Sequence, residues 1–161
     1  MNWIAFFILS YVTLGLQTGL GAFVRVGSVA EPNLGLIALA FLCINGQRKD
    51  ALLGAFVLGA MQDLATQQPF GLFAFSYGIS ALAVTSAAHS IYREHPLTHF
   101  FCTLLAGGIT AIIVMLHARI HGGPGEAARL MASAMYSAIL APFVIGALQR
   151  MKRVFGFKHY R

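Results

Sequence analysis

Between Trp3 and Val24 the chain carries no Asp, Glu, Lys or Arg, and the same holds from Leu72 to Tyr92 and from Leu97 to Ala118. Each of these runs has the roughly 20 residues that a helix needs to cross a hydrocarbon core about 30 Å thick. A fourth run, Ala127 to Leu148, is interrupted only by Arg129. Because the chain is 58% hydrophobic and only 10% charged, against about a quarter charged in soluble domains, its solvent is mostly lipid. The 161 residues suit one integral-membrane domain, 1–161, since six helices of about 20 residues with short loops use nearly all of them. No room is left for a soluble catalytic domain.

Two more apolar runs are shorter. After the break GSVAEPNLG, Pro32 fits the first turn of a second helix, where its missing N–H costs nothing, and Gln47, Arg48, Lys49 and Asp50 end that run. The third, from Ala51 to about Thr66, contains Asp63 and would extend only about 24 Å at about 1.5 Å per residue. The pair is expected to form a thin or tilted hairpin, or to stop short of a full crossing. Gln67, Gln68, Pro69 and Gly71 supply the next turn. The expected fold is therefore all-α, a polytopic membrane bundle of about six transmembrane helices. Its spans lie near 3–24, 32–46, 51–66, 72–92, 97–118 and 127–148, with a basic tail at 150–161. The opening MNWIAFFILS lacks the basic flank of a secretory signal, so the first run is read as a retained span with Trp3 at the interface.

Basic residues set the orientation. With the N-terminus cytoplasmic, that side receives Arg48, Lys49, Arg93 and the five Lys and Arg of the tail, and the other side only Arg25, Arg119 and Arg129. The bias places both termini inside. The net charge of +6 sits largely in that tail, so Arg48, Lys49, Arg150, Lys152 and Arg153 are expected to face anionic lipid headgroups. No signature of a nucleic-acid-binding module occurs.

Chemistry-bearing motifs are sparse. Ala51, Ala55, Gly59 and Asp63 recur every fourth residue, a small-residue ridge ending in a carboxylate. Gly15 with Gly19, and Ser133 with Ser137 and Ala141, make similar faces. All three suit packing inside the bundle or docking of another protein's span. A carboxylate inside a membrane helix is costly, so Asp63 is expected to form an ion pair or cap near Arg25, Arg119, His117 and His121, to stay neutral, or to touch a partner or ligand. His117 and His121 share a helical face, but a metal would need a third ligand such as Glu126, and no HExxH is present. His89, His95 and His99 flank a loop and are read as interfacial. The serines lack a GxSxG setting, the five acids are dispersed, and Cys43 and Cys102 read as small buried hydrophobes. No catalytic, cofactor or metal site is expected.

The order EPN at Glu31 to Asn33, a short apolar helix, a basic turn and GAFVLGAMQDLATQQPFGLFAFSYG resembles the rod shape-determining MreD family. SAMYSAILAPFVIGALQRMKR resembles that family's last span. Pro32 and Asn33 match its helix start after the first external loop. Gly54, Gly59 and Asp63 match its glycine-spaced helix with a terminal aspartate, Gly71 its next helix opening, and Pro142 its last-span proline. Ser137 departs from an asparagine that the family often carries there. The resemblance implies a non-enzymatic membrane scaffold of lateral wall synthesis. Its implied partners are MreC, the RodA glycosyltransferase, a penicillin-binding transpeptidase and the MreB filament, with homo-oligomers open. It also implies a fold like the substrate-binding subunits of energy-coupling-factor transporters, which makes a vitamin-binding transporter subunit the alternative function.

Overall fold

A computed structural model describes residues 3–20, 31–66, 69–88, 95–122 and 127–155. Among these the chain forms six helices: α1 Trp3–Leu20, α2 Leu34–Asn45, α3 Arg48–Ala65, α4 Leu72–Ala88, α5 Pro96–Ile120 and α6 Ala127–Phe155. Two stretches, Pro96–Ile120 and Ala128–Arg150, are long and apolar enough to cross a membrane unaided, while Phe6–Gly19, Leu34–Asn45 and Leu72–Ala87 are shorter apolar helices. The expected ends of the first and fourth runs, at Val24 and Tyr92, and the residues Arg25, His89, Arg93 and Glu126 lie outside the described residues.

The short helix α2 is the axis of the bundle. It packs against each of the other five helices, and every residue from Gly35 to Ile44 is buried. A helix apolar all round has no polar face to offer water and belongs in an interior. Leu36, Leu39, Leu42 and Cys43 join a core with Ala55, Leu58, Tyr77, Ala81, Cys102 and Ala106. On its other side Ile37, Ala40 and Phe41 meet Ala141 and Ile145 of α6. The neighbours α3, α4, α5 and α6 pack in sequence around this axis, whereas α1 lies on α2 and α3.

Three sequence expectations about boundaries change. Pro32 is not in the first turn of α2; Asn33 is the N-cap, in extended conformation, and its side-chain oxygen accepts the Leu36 N–H. A carbonyl oxygen at that position satisfies a backbone donor that a proline inside the helix would only have removed. The second helix ends at Asn45, just ahead of the polar cluster as expected, but Arg48, Lys49 and Asp50 then form the first turn of α3, which starts before the expected Ala51, with Gln47 at its N-cap position. Only Gly46 and Gln47 separate α2 from α3. Finally α6 continues past Leu148 to Phe155, so Arg150, Lys152 and Arg153 lie on its last turns. It does so through Pro142, which has no N–H to give the carbonyl of Ala138.

Two glycines let backbones touch. A Cβ on Gly59 would lie 2.5 Å from the Phe73 carbonyl oxygen and 2.6 Å from the Ala74 Cα, so α3 and α4 meet here with no side chain between them. A Cβ on Gly107 of α5 would fall 2.8 Å from the Cβ of Ala134 on α6 and 3.4 Å from Leu36 Cδ1. Close approach of this kind gives helices in lipid their van der Waals attraction, because burial of apolar surface supplies little there. Buried residues of α3 follow the helical period, with Ala51, Gly54, Ala55, Leu58, Gly59, Gln62 and Asp63 forming one internal face. The α6 face also turns inward, with Ser137 and Ala141 fully buried. Gly15 and Gly19 do the opposite: both are exposed on α1, and a Cβ added at either would meet no atom within 4 Å.

Candidate functional site

Asp63 sits one turn beyond Gly59, where the close crossing has already brought the start of α4 against α3. Its carboxylate accepts three backbone donors: Oδ2 takes the N–H groups of Gly71 at 2.9 Å and Ala74 at 3.1 Å, and Oδ1 takes that of Phe73 at 2.8 Å. These are the donors that the first turn of a helix leaves without intrahelical partners, and a negative charge there also meets the positive end of the helix dipole. Asp63 is only 3% exposed. Among the described residues no cation pairs with it; of the two structural roles expected, an ion pair or a cap, Asp63 takes the cap. The turn between them ends at Gly71, whose φ of +98° lies where side chains are strained and glycine is not. Gly59, Asp63 and Gly71 are thus one device that closes the α3–α4 hairpin.

A second constellation lies at the same end of the bundle, around the start of α2. The backbone N–H of Asn33 donates to Ser137 Oγ at 2.8 Å, and Ser137 in turn donates to the Ser133 carbonyl at 2.7 Å. Ser133 donates to the Glu31 carbonyl at 2.6 Å, and Arg129 bonds the Glu31 carboxylate at 3.1 Å. Tyr77, fully buried on α4, donates to Asn33 Oδ1 at 3.3 Å, and Gly35 donates to Gln17 Oε1 of α1 at 3.3 Å. The segment from Glu31 to Asn33 is therefore clamped between α4 and α6. Ser137 thus makes a polar contact from its position on α6.

The structure brings Asn33, Ser137, Asp63 and Gly71 to one end, and sets buried Pro32 beside Asn33. It leaves Gly54 buried along α3, Pro142 midway along α6, and Arg48, Lys49, Arg150, Lys152 and Arg153 at the opposite ends of α3 and α6. Sequence reasoning missed Tyr77, Gln62 and Gly35. A Cβ on Gly35 would lie 2.9 Å from Tyr77 Oη, 3.0 Å from Asn33 Oδ1 and 3.1 Å from Gln62 Oε1, so three oxygens converge over this glycine. Gln62 is buried, and its Oε1 accepts no hydrogen bond from the described residues. The available signal was its register, four residues after core Leu58 on an internal face.

The remaining candidates are scattered. His117 and His121 stack at 4.1 Å between ring centroids, and His121 Nδ1 lies 3.0 Å from the His117 carbonyl. Among the described residues no three His, Cys, Asp or Glu side chains are grouped to hold a metal. His95 caps α5, its Nδ1 accepting from Leu97 N–H, and His99 is buried in the first turns of the same helix, with its Nε2 3.3 Å from the Gln149 amide of α6. Cys43 and Cys102 are both buried and free.

The sequence of the chain matches the family model for rod shape-determining protein MreD over residues 1–151. No match to a curated protein or to a solved structure accompanies it. That family comprises membrane proteins that determine cell shape and are not known as enzymes. The long apolar α5 and α6 accord with a membrane location. With the match covering nearly the whole chain, this protein belongs to the rod shape-determining protein MreD family.

Proposed function

We propose that the chain is a non-catalytic scaffold of the elongation complex in the bacterial inner membrane. In this reading it crosses the membrane six times with both termini cytoplasmic. It holds MreC, the RodA glycosyltransferase, its penicillin-binding transpeptidase and the MreB filament in register for lateral peptidoglycan synthesis. The observation that carries this reading is the clamp on Glu31 to Asn33, which fixes in one shape a segment that the proposed topology puts outside. A segment ordered before binding loses less entropy when a partner docks. The Glu31–Arg129 pair, with side chains 37% and 46% exposed, supplies charge at the rim, which favours partner choice and docking rate over raw affinity.

Tagged protein purified from its native membrane in mild detergent, with its companions identified by mass spectrometry, tests the proposal. MreC and the wall-synthesis polymerases should be enriched with wild type and depleted with Arg129→Glu, while the thermal unfolding of that variant stays near wild type. Undiminished recovery of MreC with Arg129→Glu would remove this surface from the interface. Recovery of energy-coupling ATPases instead would favour the vitamin-binding transporter subunit.

A further inference from the structure

Between α3 and α4, on the outside of the bundle, runs a groove of about 300 Å³ whose lining is entirely apolar. Its walls include Leu52 and Phe56 of α3 and Phe75 and Leu82 of α4, and its floor is Gly78. A Cβ on Gly78 would meet nothing within 4 Å. That glycine therefore does not serve a helix crossing, unlike Gly59 further along the same pair, and what it provides is empty space. From Ala74 to Leu82 the groove follows α4 for about 12 Å, close to the roughly 15 Å depth of one leaflet's hydrocarbon.

The end of the groove at Leu52 and Leu82 is the end where α3 begins with exposed Arg48 and Lys49. Arg48, Leu52 and Phe56 recur every fourth residue and so line one stripe of α3, putting a guanidinium one turn beyond the mouth of the groove. Lys49 stands in the same relation to Leu53, which is 57% exposed. Asp50 stands about 200° around the helix from Arg48 and about 100° from Lys49, and has an interaction of its own. We infer that this groove is a binding site for one anionic phospholipid, with an acyl chain laid over Gly78 and the phosphate held by Arg48 and Lys49. Charge at one end and a purely apolar slot along the rest match a headgroup joined to a chain. A volume of about 300 Å³ suits part of an acyl chain rather than a helix about 10 Å across. The inference rests on α3 and α4 lying in the membrane, as the proposed function has them.

The test uses the full chain in nanodiscs of phosphatidylcholine doped with phosphatidylglycerol, with retained lipid counted by native mass spectrometry. Wild type should retain phosphatidylglycerol in preference to phosphatidylcholine. Gly78→Leu, which fills the groove and raises helix propensity, should lose the retained lipid while its melting temperature holds. Gly146→Leu, at another open glycine, should retain it. Arg48→Gln with Lys49→Gln should keep a bound lipid but lower the preference for phosphatidylglycerol by roughly tenfold. Equal retention by Gly78→Leu and wild type, no preference in wild type, or cross-linking of position 78 to another protein's span instead of lipid would overturn the inference. Release of the wild-type chain from its native membranes by alkaline carbonate would show that the embedding itself is wrong, separately from the groove.

Discussion

Replacing Asp63 with asparagine removes a charge and leaves the shape nearly unchanged, so it isolates what the carboxylate does. With the remaining carbonyl oxygen in the Oδ2 position, the N–H groups of Gly71 and Ala74 keep an acceptor. The new amide then points its own hydrogens at the Phe73 N–H, 2.8 Å away in the native protein. One buried donor is left unsatisfied, at about 1–3 kcal/mol, and the charge–dipole attraction is lost, at about 0.5–1 kcal/mol. The sum, about 2–4 kcal/mol, falls on opening the α3–α4 hairpin. Amide hydrogen exchange in detergent reads this directly: protection of Phe73 and Ala74 should drop by roughly 30- to 1000-fold, with α5 little changed. Thermal unfolding should fall in parallel. Wild-type exchange at Phe73 and Ala74 in the Asn variant would refute the capping role. Loss of partner proteins with wild-type exchange would instead make Asp63 a docking residue in its own right.

Other substitutions follow from the same geometry. Gly59→Ala sets a Cβ against immobile backbone of Phe73 and Ala74 and should lower stability by about 1–3 kcal/mol, seen as a reduced melting temperature; Gly146→Ala, in open space, should not. Gly71→Ala should cost about 1–2 kcal/mol through its positive φ, measured the same way. Ser137→Ala strips the Asn33 N–H of its acceptor and should cost about 1–3 kcal/mol, while Ser137→Asn, if the longer amide can still accept, should recover much of it. Arg129→Ala, breaking a partly exposed ion pair, should change stability by less than about 1 kcal/mol, so any loss of bound partners in that variant is read as lost docking.

The long helices α5 and α6 were legible because an apolar run of about 20 residues with at most one charge admits few other forms. The ridge from Ala51 to Asp63 was legible because its spacing is helical and its residues small. What the sequence conceals is which side of an apolar helix faces protein. Lipid and protein interior are both apolar, so hydrophobic residues mark neither, and Gly15 with Gly19, which suited packing inside the bundle or docking of another span, do not pack inside it. The burial of α2 was hidden for the same reason: its short apolar run looked like a weak span when it is the axis of the bundle. For Asp63 the sequence left an ion pair and a cap both open, since spacing along a chain does not reveal which free N–H groups a following helix presents to a carboxylate. Gly107 and Ala134 lie 27 positions apart and carry no shared motif, so their contact was visible only in three dimensions.

The position of α2 has a consequence for how the protein is made. It is synthesised before α6, but the surfaces that enclose Ile37, Ala40 and Phe41 belong to Ala141 and Ile145 of that later helix. Until α6 has been synthesised, one flank of this helix of about 18 Å lacks its final neighbour and must be sheltered by lipid, by the insertion machinery or by a temporary contact. Nascent chains that stop before α6 are left with that flank of the axis uncovered, while α1, α3, α4 and α5 can already enclose the rest.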